Sequence, residues 1–439
     1  MTPAADRAHL SRALSAVAGR ARPIGAIAVV AAVVGGVILR RTGVDLGAAT
    51  APLFWVNFHD KYRFGPAHPW WPAPVLATTL AAAIVLLRAR RLPSPLFLVG
   101  AFAVALGARL GLNTAQFGRD EWTWPLTRPN SVETEYPAAY HLVAGQVGAF
   151  VDHFAELVPH LPIHPSGHPV GATLAFYALD QATGSPAGTA FVLSAVGALA
   201  VVPTFLLGRS LGDEMSARLA VVLFALAPQT LLYGATSYDG AFVPVTTLAV
   251  WLLVTRPAVW GALVLAGAFL LSYALAIVGL FAALVVGRRQ GVRIVVATVV
   301  TTLAVLAVLA LVFGYDPIRA VLATRDAYER GIGGRRPYGY WVIGGPAAFL
   351  IVLGPLLAER LLQGVERGGA AARALAICVL VAAASGVMEA EVERIWQFLV
   401  PLAAVAAAPY ATARRWVWLG LAAGLLQAYA IELHWDTTF

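Results

Sequence analysis

Apolar residues run in long stretches along the whole chain, and each stretch ends at arginines, at a proline or at a polar cluster. An α-helix needs about 20 mainly apolar residues to cross a bilayer. The stretches show neither the alternation of half-buried strands nor the polar stripe of soluble amphipathic helices. They therefore predict an all-α polytopic membrane protein with about 13 transmembrane helices. The predicted spans are residues 24–40, 73–88, 95–112, 187–207, 218–235, 240–255, 258–271, 272–287, 293–314, 339–360, 372–388, 396–411 and 415–432.

Arginines at the ends of these spans predict the orientation of the chain, because cytoplasmic loops carry an excess of Arg and Lys. With a cytoplasmic amino terminus, and with residues 258–287 forming two spans rather than one, nearly every arginine doublet falls inside. The doublets Arg40-Arg41 and Arg335-Arg336 are the exceptions. Alanine is abundant and lysine is almost absent, which is typical of a high-GC bacterial genome. We therefore expect a multi-pass protein of the bacterial plasma membrane.

Residues 113–186 form the largest predicted outside loop. Apolar and polar residues alternate there around Tyr136, Val143 and Phe150, as expected of helices that lie along the membrane interface. We therefore expect outward-facing juxtamembrane helices in this loop, including a half-buried one over 169–183. No segment has the pattern of a separate soluble domain, so residues 1–439 are predicted to form a single transmembrane domain.

The amino-acid composition argues against a soluble protein and against nucleic-acid binding. The chain is 59% hydrophobic and 12% charged, against about 25% charged in soluble globular domains. Most of the arginines behind the net charge of +8 stand at the ends of apolar runs, where they fix topology and contact anionic lipid headgroups. This pattern indicates membrane lipids as partners and argues against nucleic acid. Cys378 is the single cysteine, which excludes an intramolecular disulfide.

Polar chemistry collects on the predicted outer face, where all histidines except His9 fall. Charged residues so close to the hydrocarbon are costly unless they are paired or wetted, and they often mark a functional site. The predicted outer face is therefore the working face. Its carboxylates and its late arginine are Asp120, Glu121, Glu133, Glu135, Asp239, Asp316, Glu389, Glu391, Glu393 and Arg394.

Four sequence motifs on the predicted outer face follow one another in an order known from a protein family. They are Glu133-Thr-Glu-Tyr136, His164-Pro-Ser-Gly-His168-Pro-Val-Gly171, Thr236-Ser-Tyr-Asp239 and Glu391-Val-Glu-Arg-Ile-Trp-Gln-Phe-Leu-Val-Pro401. Together they resemble the GT-C superfamily of membrane glycosyltransferases, which includes protein mannosyltransferases, the aminoarabinose transferase and arabinofuranosyltransferases. The resemblance covers roughly residues 95–411 and departs from the family at two points. His-Pro-Val-Gly replaces a double proline, and Glu-Thr-Glu replaces the usual acidic pair, while Asp120-Glu121 stands separately upstream.

The resemblance implies an inverting transferase that moves a sugar from a polyprenyl-phosphate carrier to a cell-envelope glycan, lipid or protein on the outer face. A carboxylate must then accept the proton of the acceptor hydroxyl, and a cation must hold the departing phosphate. Glu135 is the first candidate for the base because its spacing to the His-Pro segment fits the family, and Asp120 and Glu133 are the others. Candidate substrate-binding residues are Glu121, Tyr136, His164, His168, Tyr238, Asp239, Arg335, Arg336, Glu391, Glu393 and Arg394.

Within that set, Arg394 is the first candidate for the lipid phosphate, and the doublet Arg335-Arg336 is the second because its position outside defies the orientation rule. His164 and His168 could hydrogen-bond the acceptor or the phosphate, form a local turn, or bind a divalent metal. Metal is less favoured because prolines interrupt the helix that would align the histidines. No other cofactor is indicated.

Structural interpretations stay open for the carboxylates. Asp120 and Glu121 could cap an interfacial helix. Glu135 could belong to a structural ion pair, and so could Arg394. Asp239 could cap the helix predicted over 240–255.

Two other functions are compatible with the same pattern. A secondary transporter would suit the many helices, although the apolar runs are nearly free of charge and no half of the chain repeats the other. A polymerase or ligase of lipid-diphosphate-linked glycans would share the fold and the outward site and differ in its donor.

Overall fold

The computed structural model describes residues 18–47, 70–115, 121–127, 133–331, 333–411, 414–434 and 437. These residues contain helices and no β-strand, in agreement with the predicted all-α class. In chain order the α-helices are α1 (Ala21–Arg41), α2 (Pro72–Arg88), α3 (Ser94–Leu112), α4 (Trp124–Thr127), α5 (Tyr140–Val143), α6 (Val147–Asp152), α7 (Phe154–Leu157), α8 (Ile163–Gly167), α9 (Val170–Thr183), α10 (Pro186–Ala198), α11 (Val201–Leu211), α12 (Glu214–Ala225), α13 (Pro228–Tyr233), α14 (Phe242–Thr255), α15 (Ala258–Leu271), α16 (Ala276–Gln290), α17 (Val292–Phe313), α18 (Pro317–Arg330), α19 (Tyr338–Leu353), α20 (Pro355–Glu366), α21 (Ala370–Ala384), α22 (Val392–Ile395), α23 (Val400–Ala407) and α24 (Arg414–His434).

Seven helical segments of the described chain are long and apolar enough to cross a membrane. The predicted number of thirteen spans is not confirmed. Helices α2, α15 and α21 are apolar but shorter than a full span. The seven segments are Ala21–Arg41, Ser94–Leu112, Pro186–Leu211, Tyr238–Thr255, Tyr273–Gln290, Val292–Phe313 and Arg415–His434.

Three of the predicted spans are broken, and proline stands at or beside each break. Span 218–235 divides into α12 and α13, because the residue before Pro228 is extended rather than helical. Span 339–360 consists of α19 and α20, which meet at an angle of 119°. Span 396–411 is a 3₁₀ turn, the eight-residue helix α23 and a second 3₁₀ turn.

The bend between α19 and α20 depends on Gly354. This residue has a φ of +81°, and a Cβ atom there would lie 2.8 Å from the ring of Pro228. Glycine alone satisfies both the left-handed backbone and the close approach. The two interrupted segments therefore pack against each other at their breaks.

Burial differs strongly between the helices of the bundle. All eight residues of α23 are buried, so this short helix lies in the centre of the main core. Only 11% of the apolar window in α17 is buried, and Leu311 is 86% exposed. Apolar side chains can face outward on such a helix because lipid tails are as apolar as they are.

The juxtamembrane helices predicted within 113–186 are present in the described part of that segment, as α4 to α9. Phe150, Phe154 and Val158 form a second, smaller core with Tyr315 and Ala320, the last of which lies on α18. Helix α9 occupies the region predicted as a half-buried helix and buries one face. This layer covers one end of the bundle and carries much of the polar chemistry.

Candidate functional site

Five segments of the chain bring ionisable side chains together beneath the juxtamembrane helices. His164 Nδ1 lies 2.9 Å from Glu135 Oε1. His168 Nε2 lies 3.9 Å from Asp239 Oδ1, and the other oxygen of Asp239 accepts a hydrogen bond of 2.7 Å from Arg394 Nη1. We call the joined groups the polar cluster: Glu135, His164, His168, Asp239, Arg336, Glu391 and Arg394.

Local backbone structure explains how the first two carboxylates reach this position. Glu135 is extended and immediately precedes the 3₁₀ turn Tyr136–Ala139, which starts at a Tyr-Pro pair. Asp239 lies in the 3₁₀ turn that leads into α14. The side chain of Ser237 accepts the N–H of Asp239 at 3.1 Å and caps that turn. Helix α14 has Ala241 as its N-cap and no side-chain cap, so Asp239 does not cap it.

Arg394 and Arg336 both bind the carboxylate of Glu391. Arg394 Nη2 donates to Glu391 Oε2 at 2.8 Å, and Arg336 Nη2 donates to Glu391 Oε1. Arg336 also donates to the carbonyl oxygens of Gly47 and Glu389. Opposite charges compensate the burial of these groups, which would otherwise be costly. The contacts of Arg336 favour a structural role, and its assignment to a phosphate stays a prediction.

The turn that presents Glu391 is strained. Ala390 and Glu391 have φ values of +59° and +52°, and no other non-glycine residue of the described chain has a positive φ. Each left-handed L-residue costs about 1–2 kcal/mol, and such strain clusters at ligand-binding and catalytic sites. The conformation leads directly into α22, which carries Glu393 and Arg394.

Burial and charge together set the pKa values of the cluster. Burial raises the pKa of Glu391, but Arg394 and Arg336 outweigh this effect and lower it to about 2. Burial lowers the pKa of Arg394, but Asp239 and Glu391 outweigh it and hold that pKa above its ordinary value. Burial also lowers the pKa of His164, yet neighbouring Glu135 leaves it raised overall. The negative charge of Glu135 therefore favours the protonated form of His164.

His168 behaves differently from His164. Burial lowers its pKa, and the attraction of Asp239 does not compensate. Its Nδ1 lies 3.0 Å from the backbone oxygen of His164, a contact that orients the ring and fits a neutral tautomer with the proton on Nδ1. Within the described residues, no group of three or more His, Cys, Asp or Glu side chains is arranged to hold a metal ion.

Aromatic rings wall the cluster on one side. The ring centroid of Tyr136 lies 4.8 Å from that of Tyr238, 4.6 Å from Phe176 and 5.8 Å from His168. Burial raises the pKa of Tyr136 well above its ordinary value, and the charges of Asp239 and Glu135 add to the effect. Tyr136 therefore stays neutral and can act only as a hydrogen-bonding or stacking group.

The structure does not gather all of the predicted site residues. Glu133 and Arg335 are exposed. Glu393 is completely buried beside the cluster, and burial raises its pKa to about 8. Asp120 and the side chain of Glu121 lie outside the described residues.

Arg109 is a supporting residue that the sequence did not single out. It is 1% exposed inside α3, and its Nη1 donates to the backbone oxygens of Ser194 and Gly234 at 3.2 and 3.3 Å. A Cβ atom on Gly234 would lie 2.9 Å from the guanidinium carbon. Arg109 therefore ties α3 and α10 to the segment that leads to Asp239. A lone arginine inside a predicted span was the available signal.

The polar cluster is nearly closed to solvent. The side chains of Glu135, Asp239 and Arg394 are exposed by 4%, 7% and 7%. The cluster combines a carboxylate in contact with a histidine and a guanidinium between two carboxylates, which are the groups needed for proton transfer and anion binding. Comparisons of the chain with protein-family models, curated proteins and solved structures found no match.

Proposed function

We propose that this protein is an inverting membrane glycosyltransferase of the GT-C type. It transfers a sugar from a polyprenyl-phosphate carrier to a cell-envelope glycan, lipid or protein. The observation that carries the proposal is the convergence of Glu135, His164, Asp239 and Arg394 from four chain segments into one buried cluster. A purely structural salt bridge requires only two such groups, whereas this cluster supplies a carboxylate for proton abstraction and a guanidinium for phosphate at one place.

In the proposed reaction Glu135 is the base. Its carboxylate takes the proton of the acceptor hydroxyl while the acceptor oxygen forms a bond to the anomeric carbon of the sugar. The bond from that carbon to the phosphate oxygen breaks, and its electron pair stays on the phosphate. His164, 2.9 Å from Glu135, orients the carboxylate and tunes its basicity.

Arg394 receives the departing phosphate. A guanidinium offers several donors in one plane and binds phosphate through paired hydrogen bonds. Asp239 and Glu391 hold this guanidinium in the resting state at 2.7 and 2.8 Å. The phosphate then competes with these carboxylates, so donor binding includes a rearrangement of the ion-pair network.

The proposal places the polar cluster on the extracytoplasmic side of a bacterial plasma membrane, with the amino terminus in the cytoplasm. Helix α14 starts beside Asp239, and Gln290 donates to the backbone oxygens of Leu253 and Val254 at its other end. The arginines near residues 88–91, 209–218 and 288–293 belong to that other end, where contacts of Arg218 and Arg289 join the three segments, and the positive-inside rule assigns it to the cytoplasm. The lipid-linked donor enters laterally from the bilayer.

The test measures transfer of radiolabelled sugar from synthetic polyprenyl-phosphate donors by the purified full chain in detergent. We expect Glu135→Gln to lower transfer by about a hundredfold to ten-thousandfold. Glu156→Gln is the matched control, because this glutamate is exposed on α7 in the same juxtamembrane layer. Asp120→Asn serves as a parallel variant, and loss of transfer in it alone would assign the base to Asp120.

A second donor series separates the proposal from its nearest alternative. Transfer that occurs only from polyprenyl-diphosphate donors would indicate a glycan polymerase or ligase. If the well-folded wild type neither transfers nor hydrolyses any donor of either series, the glycosyltransferase proposal fails and a transporter becomes the better hypothesis.

A further inference from the structure

A cavity of about 350 Å³ opens at the basic end of the bundle, away from the polar cluster. Helices α11, α12, α16, α21 and α23 and the turn after α23 contribute to its walls. The lining residues that matter chemically are Ser216, Arg288, Arg289, Gly369 and Tyr410. Its volume lies at the lower end of the range for small-molecule sites, which is roughly 300–1,000 Å³.

The polar side chains around this cavity are donors. Arg288 and Arg289 supply two guanidiniums, and Ser216 and Tyr410 supply two hydroxyls, while no carboxylate of the described chain lines the cavity. Arg289 Nη2 donates to the backbone oxygen of Ser210 at 3.3 Å, which leaves its other donors available. An enclosure of this composition attracts an anion.

The acidic residues next to the lining residues in sequence have other partners, and Glu366, three residues before Gly369, pairs with Arg22. Asp213 Oδ1 accepts the N–H of Ser216 at 2.7 Å and caps α12. Glu214 Oε1 lies 2.7 Å from Arg218 Nη2 and also accepts a hydrogen bond from Ser94. Neither carboxylate forms an ion pair with Arg288 or Arg289, and no other carboxylate of the described chain does so.

The amino terminus of α21 adds backbone donors to the same wall. Gly369 is the N-cap of this fifteen-residue helix, and residues 370–372 line the cavity with it. The first amides of a helix lack intrahelical acceptors and carry partial positive charge. A Cβ atom on Gly369 would lie 2.3 Å from the hydroxyl oxygen of Tyr410, so glycine is needed for that hydroxyl to approach the helix terminus.

We infer that this cavity binds a phosphate group, carried either by a lipid headgroup or by a small anion. Two guanidiniums, two hydroxyls and a helix terminus form a donor set suited to tetrahedral phosphate oxygens. The inference does not rest on the proposed transferase activity, because the polar cluster belongs to the other end of the bundle.

The experiment compares the purified full chain with the double variant Arg288→Gln/Arg289→Gln. One arm titrates inorganic phosphate, with chloride at matched ionic strength, and follows thermal unfolding, because a ligand of the native state raises the unfolding temperature. The other arm measures retention of phosphatidic acid against phosphatidylcholine from mixed detergent micelles by native mass spectrometry. The control is Arg256→Gln/Arg293→Gln, which removes two exposed arginines at the same end that do not line the cavity.

We expect the wild type and the control to bind one of these probes, and the cavity variant to bind it about tenfold more weakly or worse. Stabilisation by inorganic phosphate identifies a small anion, whereas selective retention of phosphatidic acid identifies a lipid headgroup. The inference is overturned if neither probe binds the wild type, or if the cavity variant binds as well as the control. Both double variants remove exposed side chains, so a monodisperse, cooperatively unfolding preparation is expected for each.

Discussion

Glu391 provides the sharpest test of the ion-pair network, because two arginines depend on it. The substitution Glu391→Gln keeps the size of the side chain and removes its charge. Arg336 then keeps only neutral described acceptors, among them the backbone oxygens of Gly47 and Glu389. Breaking a buried pair by removing one partner costs about 3–5 kcal/mol, since the remaining charge loses its partner while it stays buried.

The pKa shift of Glu391 gives a second value for the stability that this carboxylate contributes. The pKa of Glu391 falls from an ordinary 4.5 to about 2 in the folded protein. At about 1.4 kcal/mol per pKa unit, this corresponds to roughly 3 kcal/mol of stability. Because the folded pKa is depressed, the contribution is present above pH 4.5 and is lost as the pH falls towards 2. Both arguments give a loss of about 3 kcal/mol.

The assay is reversible unfolding of the purified protein in mixed micelles of detergent and dodecyl sulfate, measured from pH 7 to pH 3. We expect Glu391→Gln to lose about 3 kcal/mol at pH 7, with the difference from wild type shrinking below pH 4.5. The control is Glu329→Gln, which breaks an exposed i,i+4 pair with Arg325 and is worth about 0.3–0.5 kcal/mol. A loss for Glu391→Gln no larger than for the control, or a difference independent of pH, would refute the reasoning.

Three further predictions use the same unfolding assay. Gly354→Ala should destabilise the protein by more than about 1 kcal/mol, because the φ of this residue is +81° and a neighbouring proline lies 2.8 Å from the new Cβ atom. The control Gly107→Ala, in an open helical position, should stabilise the protein by up to about 1 kcal/mol. Equal effects of the two substitutions would contradict the backbone argument. Ala390→Gly should leave the stability unchanged or raise it, since the relief of left-handed strain offsets the lost methyl group. The control Ala382→Gly, within a helix, should cost about 1 kcal/mol or more. A large loss of stability in Ala390→Gly would disprove strain at that turn. Arg109→Met should cost at least about 1–3 kcal/mol by leaving buried carbonyl oxygens without their donor, and wild-type stability in this variant would show that the tie is dispensable.

The sequence by itself determined that the chain is an all-α membrane protein and where most of its helices lie. Apolar run length and terminal arginines carry this information because each helix satisfies its own backbone hydrogen bonds within the bilayer. The predicted spans 24–40, 95–112 and 293–314 match α1, α3 and α17 to within a few residues. Asp239 and Arg394 became candidates because charged groups near hydrocarbon are unusual enough to be visible in one sequence. Glu135 and His164 became candidates through the order and spacing of the motifs that resemble a known family.

Only the tertiary structure decided which apolar runs are continuous spans and which polar groups meet. Apolar composition does not distinguish a membrane span from a broken, buried segment. The bend at Gly354 and the shortness of the buried helix α23 were therefore not predictable from hydropathy. The left-handed turn at Ala390 and Glu391 contains no glycine that would mark it in the sequence. The ion pairs of Glu391 hold the turn in this conformation. The contacts of Glu135 with His164 and of Asp239 with Arg394 join residues far apart in the chain. Their distances follow from packing, and packing is a property of the folded bundle as a whole.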